Sequence, residues 1–282
     1  MTASTNLSTH TVTVAGARLH YEVRGAGPLL LVLGAPMSAA EFAPFAHALA
    51  VDHTVVTADP RGIAHSIVDD LTQDSTPELR ADDAAAILDD LGAESADVFG
   101  SSGGAVTGLA LVSRHPKRVR TLVAHEPPVL ELLPDADAQR AATEAIVATF
   151  HRDGHEAAFG HFMLNAGFDL PADAPTGPSG PPDPAEVADA THFFVHELLP
   201  TTRYRPDITA LRASRVVLGL GEESSRLLTH RTTLALADLL GTAPVMFPGG
   251  HGGFLDAPGA FADVLRSVLA QASRETVPRA YP

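Results

Sequence analysis

Continuous apolar runs closed by glycine or proline recur along this chain and alternate with stretches of helical spacing. "PLLLVLGAP" and "HTVVTADPRG" lack the polar alternation of a strand with one wet face, so both faces of these strands are expected to be buried. Between them, "EFAPFAHAL" carries apolar residues at helical intervals. "TPELRADDAAAILDDLG" repeats the helical pattern: Thr76 can cap it, Pro77 opens it, and Ala84, Ile87, Leu88 and Leu91 form its apolar face. Strand "ADVFG", helix "AVTGLALVSRHP" and strand "VRTLVAHE" follow. Parallel neighbours need crossovers that pack on the sheet, so the alternation implies an α/β fold: a mostly parallel central sheet with helices on both faces.

Two segments depart from that rhythm. At the start, "HTVTV" and "ARLHYEV" alternate with period two around Ala15-Gly16 and read as a β-hairpin. From residue 134 to residue 212, helical stretches "DAQRAATEAIVATFHRD" and "PAEVADATHFFVHELL" flank "LPADAPTGPSGPPDP", whose prolines and glycines can continue neither periodic structure. Strand "RVVLGLG", helix "LLTHRTTLALADLLG", strand "APVMFPG" and helix "APGAFADVLRSVLAQAS" then resume the series. The expected organisation is a core of residues 1–133 and 213–282 with a helical lid, 134–212, inserted between two strands.

Charge and composition narrow the partners. With 34 acidic against 19 basic side chains the formal charge is −15, which opposes a surface built to neutralise phosphates, and no nucleic acid partner is expected. Cysteine is absent, excluding thiolate catalysis, disulfides and zinc thiolate sites. There is no run of about 18 apolar residues and no leader-like pattern at "MTASTNLSTHTVTV", so the expectation is a cytoplasmic protein without a membrane partner. His151/His155 and His192/His196 form H-x-x-x-H pairs on expected helices, but neither encloses the glutamate of H-E-x-x-H, and no metal or other cofactor is expected.

Chemistry first shows at "VFGSSGGAV", which places Gly100, Ser102 and Gly104 in G-x-S-x-G between a strand and a helix. A serine there occupies a strained turn, small residues two positions away let strand and helix approach, and the following helix start directs free N–H groups at the reacting centre. Ser102 is the expected nucleophile and the N–H of Gly103 an oxyanion donor. Ser101 is the fallback nucleophile, one position off the turn.

With that turn in place the chain resembles the α/β-hydrolase fold family over nearly its whole length. "LVLGAP" is similar to the family's oxyanion loop, which implies a second oxyanion N–H at Ala35; "DPRGIAHS" is similar to its D-x-R-G-x-G-x-S turn, with Ala64 at the second glycine. His251 in "FPGGHGGF" stands where the family carries its catalytic histidine, between the last strand and the last helix. A serine rather than an aspartate at position 102 disfavours epoxide opening and dehalogenation.

The acid is open to choice. The commoner family location, after "RVVLGLG", would put an aspartate at position 224, but Ser224 stands there, with Glu222 and Glu223 just before it. Glu126 is the other carboxylate at a strand end, one strand over from the nucleophile, and Pro127 is expected to hold its backbone extended. Asp256 follows the histidine and breaks the expected chain order. "AHEPP" and "GSSGGA" further resemble zearalenone-type lactonases, which implies a Ser102-Glu126-His251 triad. Those enzymes set a lid tryptophan against an aromatic macrolactone, and this chain has no tryptophan.

The resemblance thus implies a serine hydrolase of a small hydrophobic ester or lactone working through an acyl-enzyme. Carbon–carbon bond hydrolysis or perhydrolysis on the same residues, and a hydrolase-fold ligand receptor, are the alternatives. Expected lining residues are Met37, Phe42, Val129, Leu130, Phe159, Phe162, Met163, Phe193 and Phe194.

Overall fold

The computed structural model describes residues 6–169 and 183–275. A sheet of nine strands runs through it: β1 (Leu7–Val14), β2 (Ala17–Arg24), β3 (Leu29–Leu33), β4 (Thr54–Ala58), β5 (Ile67–Val68), β6 (Ala96–Ser101), β7 (Val119–His125), β8 (Val216–Gly221) and β9 (Val245–Phe247). Their order is β1-β2-β4-β3-β6-β7-β8-β9, with the short β5 pairing to β2. From β4 to β9 all neighbours are parallel, while the β1–β2 hairpin joins antiparallel through β2.

Strand residues alternate between two apolar layers. Leu31, Leu33, Val56, Val98, Leu122 and Ala124 face one layer with helices α2 (Pro77–Asp90) and α3 (Gly103–Arg114). Leu30, Val32, Val55, Phe99 and Val123 face the other, with α1 (Ala43–Leu49) and the final helix (Pro258–Glu275). This two-sided burial explains the unbroken apolar runs. Thr76 caps α2 as its position suggests, accepting from the Leu79 N–H at 3.2 Å.

Between β7 and β8 lies a helical insertion: α4 (Ala136–Asp153), α5 (His155–Ala166), α6 (Pro184–His192), α7 (Leu198–Thr202) and α8 (Ile208–Arg212). It has its own small core of Ile146, Ala158, Phe194 and Leu198. The proline-rich run expected in its middle lies, for residues 170–182, outside the described residues. "PAEVADATHFFVHELL" does not form one uniform α-helix: Phe193–Glu197 makes a π turn, which accommodates Phe194 in the insertion's core and Glu197 opposite Arg80. The insertion is tied to the body through polar contacts, buried at Arg80 and exposed at Ala64. Arg80 donates to Thr201 Oγ1 at 2.8 Å and lies 4.0 Å from Glu197 Oε2, and the Ala64 N–H donates to Asp189 Oδ1 at 3.0 Å.

Candidate active site

Ser102 joins β6 to α3 with φ 55° and ψ −125°, a conformation that costs a residue with a Cβ about 1–3 kcal/mol. Packing imposes it. A Cβ on Gly100 would strike the Gly104 carbonyl and one on Gly104 the Leu33 carbonyl, so the crossing of strand, helix and neighbouring strand has no room for side chains. The Ser102 N–H donates to the His125 carbonyl at 2.9 Å, pinning the turn to the end of β7. The Ser102 side chain does not cap its own helix. Gly103 packs directly on Ala35, with its Cβ direction only 2.5 Å from the Ala35 carbonyl oxygen, so the two expected oxyanion residues are neighbours. The Gly103 N–H belongs to the first turn of α3, where N–H groups have no intrahelical acceptor.

Ser101 faces the other way. Its hydroxyl lies 3.0 Å from His125 Nδ1, with both side chains buried at paired positions on β6 and β7. Burial holds the His125 imidazole down to about 3, against the opposing pull of the Glu126 charge, so this ring is neutral.

Glu126 follows β7 and is fully buried. Its Oε2 lies 2.6 Å from His251 Nδ1 and accepts from the Thr229 hydroxyl at 2.9 Å; its Oε1 accepts from the Gly221 N–H at 2.8 Å. Burial pushes this carboxyl up, but the hydrogen bond and charge of His251 outweigh it and hold the group down to about 2. The extended backbone expected from Pro127 is not what occurs: Glu126 has φ 51°. Its N–H donates to the Gly219 carbonyl at 3.1 Å while its carboxylate reaches Gly221 further along β8, and the left-handed backbone turns the side chain across that strand end.

His251 sits in the loop between β9 and the short helix Gly253–Asp256, its side chain 20% exposed. Glu222, Glu223 and Asp256 are exposed, whereas Ser224 is fully buried beside the acid with no partner meeting hydrogen-bond geometry. The β8 loop position and the β7 end therefore converge on one spot, and the carboxylate there comes from β7.

The expected lining residues divide. Phe42 stacks on Phe254 with ring centroids 5.2 Å apart inside the layer of α1 and the final helix, Val129 is buried in the layer of α2 and α3, and Phe194 packs on Phe150 within the insertion. These three present 0%, 0% and 2% of their surface, so they support the walls rather than face a ligand. Leu130 is buried as well, Met37, Phe162, Met163 and Phe193 are half-buried, and Phe159 is exposed. Sequence reasoning missed Phe168, whose ring stands edge-on to His251 at 5.9 Å. The glycine before it, Gly167, ends α5 in the left-handed conformation that turns the chain toward this ring, a stop signal that could have marked the next aromatic. Neither H-x-x-x-H pair belongs to a three-donor cluster among the described residues: His192 is buried against Gly62, and His196 Nδ1 lies 3.2 Å from Asp74.

Comparison with known proteins extends the description. Residues 27–166 match the α/β hydrolase fold family model. The uncharacterized hydrolase YraK of Bacillus subtilis (strain 168) is 32% identical over 273 residues, covering 94% of this chain and 97% of that protein. Among solved structures, a thermophilic esterase from Thermogutta terrifontis superposes with TM-score 0.72 at 18% identity, covering 94% of this chain and 99% of the esterase. A hydrolase from Pseudomonas aeruginosa PA01 gives TM-score 0.71 at 21% identity, over 95% of this chain and 99% of its own. No helix of the described residues is long and apolar enough to cross a membrane. The near full-length likeness to YraK, the family match and the sheet order converge: this chain is a hydrolase of the α/β-hydrolase fold family.

Proposed function

We propose that the protein is a cofactor-independent serine hydrolase that cleaves small hydrophobic carboxylic esters, lactones included, through an acyl-enzyme. The observation that carries this reading is the buried Glu126 carboxylate 2.6 Å from His251 Nδ1, with Ser102 held at φ 55° at a helix start and bonded through its N–H to the residue before that acid. With Nδ1 engaged by Glu126, His251 presents Nε2 as a base. Ser102 Oγ attacks the carbonyl carbon as its proton passes to that nitrogen, Glu126 stabilises the imidazolium, and the N–H groups of Ala35 and Gly103 receive the oxyanion. His251 returns the proton to the leaving alkoxide, and a water activated by the same ring releases the acid. In a lactone the alkoxide stays tethered to the acyl group, so the same steps open the ring.

The insertion between β7 and β8 serves as the lid, and Phe168, together with the half-buried Met37, Phe162, Met163 and Phe193, supplies apolar surface against the substrate. The test is a panel of aryl esters, alkyl esters and lactones, with fluorophosphonate labelling in parallel. Stoichiometric labelling at Ser102 together with many turnovers on at least one ester or lactone is the expected result. Labelling elsewhere, or a single turnover followed by tight retention of ligand, would replace this reading with carriage or sensing of a ligand.

A further inference from the structure

Away from the Ser102 turn, the middle of β2 and the loop that leaves β4 bring two imidazoles and a carboxylate together. His20, Asp59 and His65 each offer a donor atom, and these atoms lie within 4.8 Å of one another. Their backbones are locked. The Asp59 N–H donates to the His20 carbonyl at 3.0 Å, the His20 N–H to Ser66 Oγ at 2.9 Å, and the Ser66 hydroxyl to the Asp59 carbonyl at 2.8 Å. The Asp59 carboxylate is aimed by N–H groups of Ala39 at 2.8 Å and His65 at 3.0 Å. The carboxylate is buried while the His65 ring is 75% exposed, so the cluster has a fixed floor and an open side.

Two separations decide what the cluster suits. A first-row divalent ion with bonds of about 2.0–2.1 Å and ligand angles of 90–110° sets neighbouring donor atoms about 2.9–3.4 Å apart and two imidazole centroids about 4.5–5.2 Å apart. Asp59 Oδ2 lies 3.1 Å from His65 Nδ1, and the His20 and His65 rings are 4.9 Å apart. Both fall within those ranges, the first as a hydrogen bond that a bound ion would replace, and the remaining donor atoms lie within 4.8 Å of one another.

We infer that His20, Asp59 and His65 form a binding site for a divalent transition cation of the zinc class, with water completing the coordination. Two nitrogens and one carboxylate select such ions over calcium or magnesium, which prefer oxygen. The ion would staple β2 to the loop 59–66. That loop also holds the insertion, through the Ala64 N–H on Asp189 and the contact of Gly62 with His192, so occupancy stiffens the seat of the insertion without touching Ser102 or His251.

The experiment is calorimetric titration of chelator-stripped full-length protein with zinc sulfate, with calcium chloride as comparison, on the wild type and on His65→Ala, His20→Ala and His151→Ala. Expected are one equivalent of zinc, no calcium binding, a rise in unfolding temperature with zinc, and affinity weakened at least tenfold by His65→Ala and by His20→Ala but not by His151→Ala. Cobalt absorption in the visible range should likewise vanish in His65→Ala, whose ring is 75% exposed, while its unfolding temperature without metal stays within a few degrees of wild type. Zinc binding unchanged in both His20→Ala and His65→Ala, or no saturable binding to the wild type, overturns the inference.

Discussion

Glu126 Oε2 and His251 Nδ1 stand 2.6 Å apart across 125 residues of sequence. The carboxylate makes this contact while also accepting from Gly221 and Thr229. Three donors converge on two acceptor oxygens, so the side chain has no rotational freedom left to spend.

Glu126→Gln tests that arrangement. A glutamine has one acceptor oxygen, so it cannot serve Gly221, Thr229 and His251 together, and it offers no charge to an imidazolium. The expected loss in kcat is about a hundred- to ten-thousandfold, while Glu223→Gln, on an exposed side chain, changes kcat less than about twofold. Steady-state kinetics on one aryl ester decide it, and a large loss confined to the Glu223 variant would move the acid to the β8 loop.

Ser102→Ala and His251→Ala are each expected to lower kcat more than about a thousandfold, with a residual rate from the oxyanion donors, and the double variant should be little worse than either. Ser101→Ala separates the adjacent serine: its hydroxyl faces His125 inside the sheet, so fluorophosphonate labelling should persist. Mass spectrometry of the labelled peptide distinguishes the two serines.

Much of this was legible before any coordinates, and the reasons differ by residue. The turn at Ser102 could be read because its steric demand falls on Gly100 and Gly104, close neighbours in sequence. Glu126 could be singled out from its place at a strand end, but its φ of 51° could not. Pro127 biases the preceding residue toward extended backbone, and the pull of Gly219, Gly221 and His251, all distant in sequence, overrides that local preference. The burial of Phe42 and Val129 was equally hidden, because apolar character alone does not say whether a residue faces a cavity or another layer of core. Phe168 was missed because its approach to His251 depends on how the insertion folds back.

Ser224 offers a sharper test of the convergence of β7 and β8. It is fully buried next to Glu126, at the loop position where the family's commoner arrangement carries its acid. In Glu126→Gln, adding Ser224→Asp returns a carboxylate to the same spot from the neighbouring strand, and more than about tenfold recovery of kcat over the single variant is expected. Ser224→Asp alone places two carboxylates together and should raise the pH at which the acid limb of kcat falls, since like charges oppose ionisation. A pH–rate series on the three variants reads both effects; absence of any rescue would mean that the β8 loop cannot aim a carboxylate at His251.

Acid should destabilise the fold well before its carboxylates protonate. Burial holds His125 down to about 3 and His192 down to about 4, both from an ordinary value of 6.5. For a base whose folded value is depressed, the unfolded chain takes up the proton first, so the stability is fully present above about pH 6.5 and drains as pH falls toward the folded value. Each ring contributes up to about 1.4 kcal/mol per pH unit across its window. Glu126 acts lower: held down to about 2 from an ordinary 4.5, it adds stability that is present above 4.5 and lost as pH falls through 2. Urea unfolding between pH 7.5 and pH 4.5 should therefore show ΔG falling with pH, with a shallower slope in His192→Gln, because glutamine fills the space near Gly62 without a proton to gain. An identical slope in wild type and variant would show that His192 carries none of the acid sensitivity, and that its ring is not held neutral at the junction of body and insertion.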